Sequence, residues 1–200
     1  MNKISLSRED LEEFAANDLG FYGLDISRIS SIFIAQVMQM QANKVINTHQ
    51  ILDEVKFLEG LKEVSSTQTA SAFNREPLKG LMKKHFTDAR FIMKNLGAHF
   101  GYEFGGNENL KEVINKAFAN NKSGYIDDEF IKFMAHESTV GAFQKRVEKK
   151  KVSGEWIVFK KYNGENYYLT LAAHDEGDEN IYSRACDAYD LDFEFLRKSN

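Results

Sequence analysis

The stretch Gly154–His174, GEWIVFKKYNGENYYLTLAAH, constrains this chain more than any other. Two apolar runs flank Asn163-Gly164, the residue pair that best accepts the two positive φ angles of a type I′ turn. That turn predicts the register: Tyr162 opposite Glu165, Lys160 opposite Tyr167, Val158 opposite Leu169 and Trp156 opposite Leu171. The other face then carries Ile157, Phe159, Tyr168, Thr170 and Ala172. Both faces are largely apolar, and a hairpin of two strands is marginal by itself in water. The pattern therefore requires cover from both sides.

Elsewhere the apolar residues recur at helical spacing. Ser7-Arg8-Glu9-Asp10 has the form of a capping box. Asp25 is expected to cap a longer helix carrying Ile26, Ile29, Phe33, Val37 and Met40, and Thr48 to open another with Ile51, Leu52, Val55 and Leu58. Val64–Glu76 is rich in Ser and Thr and reads as a linker. Pro77 suits a first helical turn, so PLKGLMKKHFTDARFIMKNLGAHFG reads as one or two helices, locally basic through Lys79, Lys83, Lys84, Arg90 and Lys94. Further helices are expected from Asn107 or Asn109 and from Asp127 or Asp128, the latter broken near Ser138–Gly141. After the hairpin, Gly177 turns the chain and Asp178 caps a last helix with Ile181, Tyr182, Ala185, Cys186 and Tyr189. The expected fold is α+β and predominantly α-helical. It comprises an N-terminal helical segment over 1–63, a linker over 64–76, and an α+β core over 77–200 with its hairpin at 155–173 followed by a helix.

A composition of 42% hydrophobic and 28% charged residues is that of a folded chain, not a disordered tail. The single cysteine excludes an internal disulfide framework or a cysteine-rich zinc site. With no leader pattern at the N-terminus, a reducing cytoplasm is the expected compartment. The most apolar window, Ile26–Met40, is interrupted by Ser27, Arg28, Ser30, Ser31, Gln36 and Gln39, and is too short and too polar to span a bilayer. No membrane partner is expected.

Net charge is −4, which disfavours a general nucleic-acid binder, but the charges are unevenly placed. Lys145, Arg146, Lys149, Lys150, Lys151, Lys160 and Lys161 oppose only Glu148 and Glu155. From Asp175 to Glu194 the sign reverses, with Arg184 the lone cation. The basic segment 143–161, together with Arg90, is the candidate anion-binding set.

Familiar motifs are missing. There is no G-x-x-x-x-G-K-[ST], G-x-G-x-x-G or G-x-S-x-G, so readings as a nucleoside triphosphatase, dinucleotide enzyme or common serine hydrolase lack support. The stretch Asn120–Phe130 imitates an EF-hand loop, yet placing Gly124 at the sixth loop position leaves Ala119 and Phe130 where oxygen ligands belong. His49, His85, His99, His136 and His174 form no short metal spacing, so no metal or cofactor is expected. Cys186 has no local basic partner that would activate a thiol.

One constellation carries a chemical hypothesis. His174 lies where a strand gives way to a turn, with Lys160 and Arg184 as cations for a phosphate. Metal-independent ribonucleases need such a set of acid, base and cations. Small bacterial ribonuclease toxins carry similar groups on a sheet-plus-helix scaffold, an analogy of composition alone. Convergence of His174, Lys160 and Arg184 with His85 or His136 in one pocket favours the enzyme reading, and their scatter favours the interaction protein.

The favoured function is therefore non-catalytic: an interaction or regulatory protein of a bacterial cytoplasm, of the mobile-element, immunity or toxin–antitoxin type. It would act on a protein partner or as a homo-oligomer. The alternatives are a metal-independent ribonuclease or phosphodiesterase using His174, and a nucleic-acid or polyanion binding module using the segment 143–161.

Overall fold

The computed structural model describes residues 6–43, 47–65, 67–86, 100, 108–120, 128–142, 144–145 and 155–197. They form an α+β fold, mostly helical, with a four-stranded antiparallel sheet of order β1-β2-β3-β4. The strands are β1 (Ser71–Ala72), β2 (Met82–Phe86), β3 (Glu155–Tyr162) and β4 (Glu165–Ala172). The helices are α1 (Arg8–Asn17), α2 (Ser31–Ala42), α3 (Thr48–Leu58), α4 (Glu108–Asn120), α5 (Asp128–His136), α6 (Asp178–Asp192) and α7 (Glu194–Arg197). No helix among the described residues is long and apolar enough to cross a membrane.

The hairpin forms as its turn residues require. Asn163 and Gly164 take φ angles of 51° and 87°, the two positive angles of a type I′ turn. Tyr162 faces Glu165 and Lys160 faces Tyr167, but the register then slips at Val158/Phe159. Val158 faces Thr170 instead of Leu169, and Trp156 faces Ala172 instead of Leu171. A bulge inserts one extra residue and reverses the side-chain alternation beyond it. Leu171 therefore packs with Ile157, Phe159 and Tyr168, and Ala172 with Val158 and Leu169.

The bulge is held from outside the strand. The Gln36 amide brackets Leu171, accepting from its N–H at 2.8 Å and donating to its carbonyl at 3.0 Å. Gln36 Oε1 also accepts from the Thr170 hydroxyl at 2.9 Å. A little earlier along β4, Ile29 pairs with Tyr168, and Ser30 donates its N–H to Tyr168 O at 2.9 Å. One side chain and one extended dipeptide thus satisfy the edge of β4 that would otherwise offer itself to another strand.

That dipeptide explains a departure from the expected helix at Asp25. Asp25 caps only a short 3₁₀ turn, Ile26–Arg28, and Ser30 caps α2 afresh. Ile29 and Ser30 are extended because β4 recruits them, a tertiary demand that overrides local helical spacing.

A second departure is β2. The segment from Pro77 has the pattern expected of helix, yet Met82–Phe86 is a strand between β1 and β3; residues 87–99 lie outside the described residues. Alternation decides the matter. Lys84 and Phe86 turn toward α3, while Lys83 and His85 pair with Val158 and Trp156 on the opposite face. Pro77 follows a cis bond in a turn and opens no helix. A third is minor: Gly177, with φ 89°, is the N-cap of α6, and Asp178 is its first residue.

Both faces of the sheet are covered. Leu11, Phe33, Ile34, Val37, Ile51, Leu52 and Val55 from α1–α3 bury one face with Ile157, Phe159, Tyr168 and Leu171. Ile181, Ala185, Ala188 and Tyr189 from α6, Phe193 between the helices and Leu196 from α7 bury the other with Val158, Leu169 and Ala172. Asp192, closing α6, accepts from Ser31 N–H and Oγ at 2.8 Å each and pairs with Arg8 at 3.3 Å, tying the two helical layers together. The stretch Val64–Glu76 contributes β1 and hydroxyl partners to β2.

The chain divides into two compact units, residues 1–88 with 154–200, and residues 89–153. The second unit contains α4 and α5, the latter continued by a π-helical turn over Glu137–Gly141 where the sequence suggested a break. Phe100, Val113 and Ala142 form its small core, with Leu110 and Met134 against them.

Candidate functional site

The end of the sheet beside α6 gathers the chemically versatile side chains of the first unit. Trp156 and His85 are cross-strand partners on β3 and β2, and their rings lie 6.3 Å apart. His174, just beyond β4, is fixed by its backbone N–H, which donates to Glu155 Oε2 at 2.7 Å. Its ring lies 4.2 Å from Trp156 and stacks on His85 at 5.2 Å with an interplanar angle of 27°. The sheet brings together two histidines that are 89 positions apart in sequence (174 − 85).

Lys83, one alternation before His85, points to the same face. Its ammonium sits 4.4 Å from the Trp156 ring centre and 4.8 Å from that of Phe73. Phe73 meets Trp156 edge to face at 5.4 Å. These residues, with Asn74, Arg75 and Asp178, line an open cleft of about 240 Å³ between β1–β2 and the start of α6.

The two cations expected beside His174 are engaged in structural bonds. Arg184 is committed to the bulge: it pairs with both oxygens of Glu176, donates to Leu171 O at 2.9 Å and to Thr170 Oγ1 at 3.0 Å. Burial lowers its pKa from the ordinary guanidinium value. Lys160 is buried on the α6 side, donating to Leu196 O at 3.0 Å with its ammonium 5.7 Å from the Tyr189 ring. Burial likewise lowers its pKa. Neither these two cations nor His85 and His174 are among the residues lining the cleft. In the anion-binding set, Lys161 is exposed on β3, and Lys145 reaches Glu112 at 3.4 Å within the second unit. Arg90, Arg146, Lys149, Lys150 and Lys151 lie outside the described residues, as does most of the loop that imitates an EF-hand. His136 is exposed beside Glu137 at 3.4 Å.

Of the expected group, then, His174 and His85 are stacked, while Lys160 and Arg184 are drawn into packing and the bulge. Sequence reading missed Phe73, Arg75 and the cleft-lining role of Lys83 and Trp156. The available signal was the K-K-H-F alternation of β2, which places Lys83 and His85 on one face. Among the described residues, no three His, Cys, Asp or Glu side chains are grouped closely enough to hold a metal ion.

A different surface is apolar. In the turn after α1, Asp18 Oδ1 accepts from Gly20 N–H at 2.6 Å, and Phe21 is buried edge to face against Phe14. A Cβ on Gly20 would lie 2.5 Å from Leu52 Cδ1, so the backbone is wedged against α3. Beside these anchors Leu19 and Tyr22 each stand 82% exposed. Leu61, 56% exposed, adjoins the neighbouring Gly23.

Searches against family models, curated proteins and solved structures found no match to this chain.

Proposed function

We propose that this chain is a non-catalytic interaction protein, which engages a protein partner through the turn bearing Leu19 and Tyr22. The observation that carries this reading is the exposure of two large apolar side chains on a pinned backbone. Ordering the backbone on binding costs little, because the turn is already held by Gly20 and Phe21. Tyr22 also offers the combined apolar and hydrogen-bonding contact common at interface centres. The engagement of Lys160 and Arg184 in structural bonds supports the same reading, since it removes two cations that phosphoester chemistry at His174 would use. A reducing cytoplasm accords with the unpaired thiol of Cys186, and a bacterial regulatory role is part of this proposal.

A photoreactive phenylalanine analogue at position 22 should give one discrete covalent adduct in cells, and the same analogue at Glu9 none. Leu19→Ser should abolish that adduct. Sedimentation then distinguishes a second copy of the chain from a different protein. A featureless smear, or adducts equally strong from position 9, would remove this surface from consideration.

The stacked His85–His174 pair favours a second reading, metal-independent phosphoester cleavage with one imidazole as base and the other as acid. On that reading, RNA cleavage in EDTA falls by about 10²–10⁴-fold in His174→Ala and in His85→Ala. Wild-type inactivity, or equal rates in all three proteins, rules it out.

A further inference from the structure

We infer that the cleft at the start of α6 is a binding site for a small phosphate monoester, held by Lys83 and Arg75. The inference starts from how cations are used in the rest of the first unit. Arg8, Arg28, Arg184 and Arg197 each sit in an ion pair. Among the described residues Arg75 is the one arginine with neither an ion pair nor a hydrogen bond, and it lines the cleft. Lys83 lines it too. Its ammonium makes no hydrogen bond or ion pair among the described residues and instead rests over the rings of Phe73 and Trp156.

An ammonium positioned by two aromatic faces is held in place without its charge being neutralised. It keeps three donors for a ligand, and Arg75 adds a planar fork that matches two oxygens of one phosphate. The Asn74 side chain is a further donor on a residue lining the cleft. Gly177 gives the first turn of α6 no side-chain cap, and the first residue of that helix, Asp178, lines the cleft.

Asp178 is the opposing group. Its carboxylate lines the same cleft and disfavours any anion there. Two cations against one carboxylate leave a net positive site, which suits a phosphate better than a metal ion. Size restricts the ligand further. About 240 Å³ lies below the range of roughly 300–1,000 Å³ that takes drug-sized ligands, so the part of the ligand held within the cleft is a phosphate with a small substituent.

Trp156 is the sole tryptophan and forms part of the cleft, so its emission reports occupancy directly. At constant ionic strength, inorganic phosphate should change that emission saturably, and methyl phosphate should bind at least as tightly. Calorimetry should agree. Lys83→Met and Arg75→Met should each weaken binding by about tenfold or more, and Asp178→Asn should tighten it by about threefold. Far-UV circular dichroism checks that these variants remain folded. Absence of saturable binding, an unchanged affinity in both cation variants, weaker binding in Asp178→Asn, or acceptance of inorganic but not methyl phosphate would each overturn the assignment.

Discussion

Lys84→Met is expected to destabilise the first unit by about 3–5 kcal/mol, the cost of breaking a buried ion pair from one side. Lys84 is completely buried on β2, and its ammonium is surrounded by Ser65 Oγ at 2.7 Å, Thr67 Oγ1 at 2.5 Å, Gln68 O at 2.7 Å and Glu54 Oε2 at 3.0 Å. Glu54, on α3, is only 7% exposed. Methionine preserves much of the stem's packing but leaves that carboxylate without its counter-charge. The double variant Glu54→Leu/Lys84→Met is expected to recover about half of the loss or more, because apolar replacement of a whole buried pair is often neutral. Urea unfolding followed by Trp156 emission measures both, since this lone tryptophan belongs to the first unit. A single-variant loss below about 1 kcal/mol would contradict the buried pair.

Phe33→Ala should cost a similar amount, about 3–5 kcal/mol, by a different mechanism. Phe33 on α2 is fully buried and lies 6.2 Å from the Tyr168 ring, in the core between α1–α3 and the sheet. Its removal opens a cavity beneath the helix that carries Gln36, the side chain bracketing the β4 bulge. The same urea experiment should show a lower midpoint with a similar slope. Leu19→Ser, at an exposed site, should leave the midpoint nearly unchanged. Equal losses in the two variants would mean that the turn after α1 serves stability and not display.

Several elements were legible because their signals are local. The Asn163-Gly164 turn needs only its own two residues, and the Ser7–Asp10 capping box closes within one helical turn. The requirement for cover on both hairpin faces followed from side-chain alternation, which survives a change of register. In the candidate site, His174 was recognisable from its place at a strand end, and His85 as one histidine that could meet it.

The remainder depended on partners distant in sequence. β2 looked helical because Lys83 and Lys84 are both polar. One is buried by Glu54 and the 65–68 segment, and the other is laid over aromatic rings. The bulge depends on Gln36 and Arg184, and the break before α2 on Tyr168. Lys160 and Arg184 were sensible phosphate ligands by type, but they are bound to Leu196 O and to Glu176 and Leu171.

By itself, then, the sequence determined the turn, the class of fold and most helix starts, since backbone preferences and short-range caps act within a few residues. Tertiary structure alone decided which face each strand residue occupies beyond the bulge, which lysines are buried, and which cations remain for a ligand. Those choices depend on pairing and desolvation between segments far apart in the chain. Periodicity cannot express either.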